Sequence, residues 1–128
     1  LFGGRGAGEV AAADPTRALG VETLVATDDG SVGRRGFVSE LLDGTLKERG
    51  TKGFVVCACG PMPMMKATAA VAAAHGVRCF VSLESTMACG FGVCVGCVVG
   101  TRPRAGGSIR FARTCIEGPV MDAAEIAW

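Results

Sequence analysis

Apolar positions along the chain alternate between two kinds of run. Short, dense, β-branched runs bounded by Gly or Asp read as buried strands; longer runs with apolar residues every three to four positions read as helices. Val21 to Thr27 (VETLVAT), Gly53 to Cys59 (GFVVCAC) and Val77 to Leu83 (VRCFVSL) are of the first kind. Gly36 to Arg49 is of the second, with Phe37, Val38, Leu41, Leu42 and Leu46 on one face, Ser39 as a local cap and Gly50 closing it. A further helix runs from Pro61–Pro63 to about Ala74 and stops at His75–Gly76. Asp14–Pro15 predicts a short helix capped by Asp14 and ending near Gly20. Beyond Leu83, Cys97 to Gly100 and Ile109 to Cys115 predict short strands around an Arg/Pro/Gly-rich turn at Thr101 to Gly107. Gly118–Pro119 marks another turn before the tail that ends in Trp128.

Strand, helix, strand, helix, strand implies right-handed crossovers and parallel strands. The carboxyl ends of the three strands then share one edge, where open α/β sheets bind ligands. Asp28, Gly60 and Glu84 each directly follow a strand and are expected there. Gly60–Pro61 adds a helix start whose N–H groups can meet phosphate or nicotinamide. The Asp28–Asp29–Gly30 stretch can equally be a turn with no ligand. Cys57 and Cys79 lie inside strands and are expected as small buried residues, and Met62, Met64 and Met65 as packing. His75 suits a helix C-terminus and Glu84 the rim of the edge. Gly6, Gly8 and Ala11 satisfy G-x-G-x-x-A, but only Leu1 and Phe2 precede them, so a loop leaving a truncated strand is the favoured reading.

The densest chemistry is at Met87 to Cys97, MACGFGVCVGC. Cys89, Cys94 and Cys97 are spaced C-x4-C-x2-C, and Cys115 follows after seventeen intervening residues. This is the plant-type spacing for a [2Fe–2S] cluster: two irons bridged by two sulfides each need two further soft ligands. Gly90, Gly92 and Gly96 permit the tight loop and let its N–H groups face sulfur. A zinc site more often pairs two C-x2-C units, and a disulfide framework prefers an even count in a secreted chain. Here there is one C-x2-C and seven cysteines in all.

Composition narrows the classes further. The 128 residues carry a net charge of +1 with both signs scattered, so nothing points to nucleic acid or to an anionic membrane surface. No apolar run approaches the ~18 residues of a membrane span. With no visible export signal, the cysteines fit a reducing cytoplasm. The first residue is Leu1, which suggests a fragment lacking its upstream part. The architecture expected is α/β: a partial parallel-sheet NAD-binding domain over 1–84, then a small β-rich cluster-binding segment over 85–128.

SLESTMACGFGVCVGC (82–97) and RTCIEGPV (113–120) resemble the cluster segment of electron-transfer subunits of NAD-dependent dihydroorotate dehydrogenases. TDDGSVGRRGFVSELL (27–42) and CACGPMPMMK (57–66) resemble the NAD-binding half of the same subunits, in the ferredoxin–NADP reductase superfamily. The resemblance implies that Cys89, Cys94, Cys97 and Cys115 ligate a [2Fe–2S] cluster. It further implies that Asp28, Asp29 and Gly30 lie in the NAD-binding region, that Cys59, Gly60 and Pro61 lie near the nicotinamide, and that LFGGR is a strand of the NAD domain. The family's flavin-binding barrel and the first strand and glycine-rich turn of its NAD domain are absent, so the chain alone is not expected to bind FAD well or to turn over. The implied role is that of an oxidoreductase subunit in pyrimidine biosynthesis. Electrons would pass from dihydroorotate and an FMN-containing catalytic subunit, in a heterotetramer, through the cluster and FAD to NAD. The rival readings are a subunit of a related NAD(P)H reductase, such as sulfide dehydrogenase or NADH-dependent ferredoxin–NADP oxidoreductase, and a zinc-stabilised interaction module.

Overall fold

A computed structural model describes residues 1–102 and 108–128; most of the predicted turn at Thr101 to Gly107 lies outside the described residues. The chain divides into two compact units, Leu1–Thr51 and Lys52–Trp128.

In the first unit, β1 (Phe2–Gly4), β2 (Val25–Thr27) and β3 (Arg34–Arg35) form a parallel sheet in that order. The LFGGR strand implied by the resemblance is therefore present. One turn of 3₁₀ helix follows at Ala7–Glu9, not the helix a dinucleotide fingerprint requires. α1 (Ala13–Ala18) is capped at Ala12, not Asp14; Asp14 sits inside the first turn and pairs with Arg17 at 2.8 Å. Of the run Val21 to Thr27 only the last three residues are strand, and Val21 is exposed. α2 (Val38–Arg49) starts at Phe37, whose backbone N–H donates to Glu40 Oε2 at 3.2 Å, so Glu40 and not Ser39 provides the cap. Leu42 and Leu46 are buried along α2, and Val10, Ala13 and Val25 form a small core with Phe2 and Val32 against it.

In the second unit, β4 (Val56–Cys59) and β5 (Cys79–Ser82) are parallel, joined by α3 (Met62–Ala74). β8 (Val120–Asp122) lies antiparallel on the other edge of β5. Met65, Val77, Cys79, Val81 and Leu83 are buried. β6 (Val98–Thr101) and β7 (Arg110–Arg113) make a separate antiparallel ribbon, followed by the short α4 (Thr114–Glu117).

The α/β class and the parallel pairing are as expected. β1, β2 and β3 form one sheet and β4, β5 and β8 another. Gly60 and Glu84 do follow neighbouring strands of one sheet, while Asp28 follows a strand of the other. β8 comes from the C-terminal segment yet pairs with β5, within the second compact unit. Cys57 is exposed, not buried: it shares a sheet face with Phe80 and Ser82, which are only half-buried, whereas Cys79 lies on the opposite face with the fully buried Val81 and is buried as expected.

The turn between β2 and β3 requires a glycine. Gly33 has φ +70°, and a Cβ there would collide with the carbonyl oxygen of Val25. Strain of this kind costs about 1–3 kcal/mol. Gly33→Ala is expected to lower stability toward urea by at least that amount, while Gly8→Ala, with nothing near its absent Cβ, should change it by less than about 0.5 kcal/mol.

Candidate metal centre

The cysteine loop runs from Leu83 at the end of β5 into β6. Gly90 (φ +73°), Gly92 (φ +86°) and Val95 (φ +50°) hold left-handed conformations. Alternating right- and left-handed residues turn successive N–H groups inward, making a concave nest for an anion. Cys89 Sγ accepts from the backbone N–H groups of Cys94, Phe91 and Val93 and from the Cys94 thiol; these bonds bring its pKa from 9.0 down to about 6. The Gly96 N–H reaches Cys94 Sγ at 3.5 Å.

The fourth cysteine arrives through the ribbon. β6 begins directly after Cys97, and the register Val98↔Arg113 sets Thr114 beside Cys97. Thr114 is fully buried, and both its N–H and its hydroxyl donate to the Cys97 carbonyl at 3.1 Å. Cys115 is thereby held against Cys97. The Cys115 backbone N–H, then its thiol, stabilise a Cys97 thiolate and lower its pKa, while the Cys115 thiol, acting as donor to Cys97 and partly desolvated, is shifted up. The charges of Cys97 and Cys89 both act on Cys115. Cys115 sits on α4 and not at the end of a strand, as the sequence had suggested.

The sulfurs therefore come as two pairs, Cys89 with Cys94 and Cys97 with Cys115. Among the described residues no three Cys, His, Asp or Glu side chains stand close enough to hold one metal ion. Two pairs of thiols are the donor set that two bridged irons require, one pair for each iron. Soft thiols facing an N–H nest fit an iron–sulfur group. Around them stand exposed apolar side chains: Phe91 at 68%, Val93 at 73% and Ile116 at 52% exposure, with Val95 and Phe111 also outward.

The other predicted site residues fall into two places. In the second unit, exposed Cys59 places Sγ 3.9 Å from Glu84 Oε1. Gly60 has φ +142°, and Pro61 precedes the first turn of α3 at the same strand end. In the first unit, Asp28, Asp29 and Gly30 leave β2. Asp29 Oδ1 accepts the Ser31 N–H at 2.8 Å, and bonds from Ser31 hold the Asp29 carboxyl below its usual range. Ser31 Oγ in turn accepts the Ala7 N–H at 2.9 Å. Asp29 thus stabilises its own turn, while the exposed Asp28 faces solvent. Arg113 and Thr114, which brace the cysteine loop, were not singled out from the sequence.

Parallel sheets and a cysteine-loop segment make an α/β fold of the ferredoxin-reductase type, and comparison bears this out. A solved structure of an NADH-dependent reduced ferredoxin–NADP oxidoreductase superposes with a TM-score of 0.76 at 28% identity, covering 98% of this chain and 42% of that one. Residues 84–127 match the family model described as the iron–sulfur cluster binding domain of dihydroorotate dehydrogenase B. The chain is 50% identical over 100 residues to the dihydroorotate dehydrogenase B (NAD(+)) electron transfer subunit homolog of Aquifex aeolicus, covering 78% of this chain and 35% of that protein. It is 39% identical over 105 residues to the corresponding electron transfer subunit of Caldanaerobacter subterraneus subsp. tengcongensis, covering 82% and 40%. The chain thus spans well under half the length of these curated relatives, which are oxidoreductase subunits.

In the metal-free chain, iodoacetamide labelling mapped by mass spectrometry should modify Cys89 with a midpoint near pH 6. Cys79, whose thiol burial pushes up to about 11, should stay unmodified below pH 9. The sign follows from the reactive species: a lowered pKa keeps the thiolate present as pH falls, until pH passes the folded value.

Proposed function

We propose that the chain is the larger part of the NAD-binding domain (1–84) and the cluster-binding domain (85–128) of an electron transfer subunit of a dihydroorotate dehydrogenase B. In this reading it works in a reducing cytoplasm in pyrimidine biosynthesis. Cys89, Cys94, Cys97 and Cys115 hold a [2Fe–2S] cluster. The observation that carries the reading is the arrangement of four thiols as two pairs, within the segment that matches the family's iron–sulfur domain. When bound, the cluster takes up and releases single electrons, so hydride chemistry at NAD requires a flavin as intermediary. FAD would bind mostly through residues outside this chain. Asp28, Asp29, Gly30, Cys59, Gly60, Pro61 and Glu84 would serve NAD binding.

The protein's own residues do three things in this scheme. The loop N–H groups of Phe91, Val93 and Cys94 stabilise negative sulfur. Thr114 holds Cys115 beside Cys97 within the second thiol pair. The exposed Phe91, Val93 and Ile116 offer an apolar rim for the FMN-containing catalytic subunit, larger than singly scattered surface residues would leave. A second reading, a subunit of an NADH-dependent ferredoxin–NADP oxidoreductase, is favoured by the structural likeness to that enzyme.

After anaerobic reconstitution with iron and sulfide, dihydroorotate plus an FMN-containing dihydroorotate dehydrogenase subunit should bleach the visible absorption of the chain. Bleaching by reduced ferredoxin and not by dihydroorotate would select the second reading. Cys94→Ser should abolish the reduced-state EPR signal and Cys79→Ser should leave it; equal loss in both would contradict the ligand assignment.

A further inference from the structure

Arg113 closes β7, two residues before Cys115, and its side chain turns back over the cysteine loop. Nη1 donates to the Gly92 carbonyl at 3.3 Å, and Nη2 to Glu117 Oε1 at 3.3 Å. The other carboxylate oxygen of Glu117 accepts the Arg113 backbone N–H at 2.7 Å. A clamp therefore runs from α4 through the guanidinium to the middle of the loop. The same place admits no larger residue: a Cβ on Gly92 would lie 2.8 Å from Ile116 Cγ1 and 3.5 Å from Arg113 Nη1.

The Gly92 carbonyl belongs to the same peptide plane as the Val93 N–H. In a trans peptide these two groups point in opposite directions. A guanidinium holding the carbonyl on one side therefore holds the N–H toward the other, where Cys89 Sγ accepts it. The Gly92 N–H, one plane earlier, is directed at Cys115. One side chain thus orients the backbone donor of Val93 to Cys89.

We propose that Arg113 is a positioning residue for the metal centre, orienting the Gly92–Val93 peptide toward sulfur, and that its charge, opposed by Glu117, sets how readily the centre is reduced. Reduction adds one negative charge, which a nearby cation favours and a nearby anion disfavours. Geometry and charge are separable because lysine keeps the charge but loses the two-armed fork that engages Gly92 and Glu117 together. The inference rests on the cluster reading above, and iron and acid-labile sulfide per wild-type chain test that reading first. A wild type that takes up no iron and sulfide sinks the reading.

With a loaded wild type in hand, the reduction potential is measured by EPR-monitored redox titration, and cluster loss by the rate of iron transfer to a chelator. Arg113→Gln should shift the potential negative and Glu117→Gln positive. Arg113→Lys should shift the potential less than Arg113→Gln does but release iron about ten- to a hundredfold faster, the usual scale for loss of an outer-shell support. Should Arg113→Gln fail to hold its cluster, Glu117→Gln and Arg113→Lys carry the test. Potentials that move the same way in Arg113→Gln and Glu117→Gln, an unmoved potential in Glu117→Gln, or wild-type iron release from Arg113→Lys would overturn the proposal.

Discussion

The centre depends on the register of one two-stranded ribbon. Cys97 stands immediately before β6 and Cys115 two residues after β7, so the pairing of these two strands brings the two thiols to the same end of the ribbon. Pairing Val98 with Arg113 puts Thr114 beside Cys97, and its two hydrogen bonds to one carbonyl lock that alignment. A slip of one residue would turn every side chain of the strand to its other face. Thr114 would then leave its buried position, and Cys115 would no longer reach Cys97. The glycine-rich loop shapes only half of the centre; the ribbon delivers the other half.

This division explains what could be read from the chain. The four cysteines were legible because ligand spacing is a local property: three fall within nine residues and glycine between them betrays the loop. The helices α2 and α3 were legible from their apolar period and from Gly50 and Pro61 at their ends. Strand lengths were not, since Val21, Phe54 and Val55 are as apolar as strand residues yet exposed, and only pairing partners decide where a strand stops. β3 and β8 have two and three residues with mixed polarity, too short to carry a period. β8 exists because β5 has an edge to satisfy, a fact written in the sheet and not in VMD itself. Cys57 was misjudged because only one face of the β4–β5 pair is fully covered, and Cys57 and Cys79 lie on opposite faces. Arg113 looked like one of several arginines, and its role appears only when Gly92 is brought beneath it, twenty-one residues away in sequence.

The electrostatics of the loop are those of a site prepared for negative charge. Backbone N–H groups, not lysines, surround Cys89, and fixed dipoles of this kind need no reorganisation when an anion forms. Each thiol pair shares protons in the metal-free chain, one sulfur accepting from the other, so metal uptake must release them and should strengthen as pH rises. Exposed Phe91, Val93 and Ile116 beside sulfurs that are only partly covered leave the centre close to the surface. Single-electron exchange with a partner needs such closeness, while a purely structural metal site is better served by burial.

The central claim, that two thiol pairs converge on a pair of bridged irons, is tested most directly by Mössbauer spectroscopy of the chain reconstituted with enriched iron. The account predicts two irons and two acid-labile sulfides per chain, with a diamagnetic oxidised state and, after one-electron reduction, distinct ferric and ferrous sites. A chain that instead binds one metal ion with no labile sulfide, or one iron in a rubredoxin-like tetrathiolate spectrum, would contradict it.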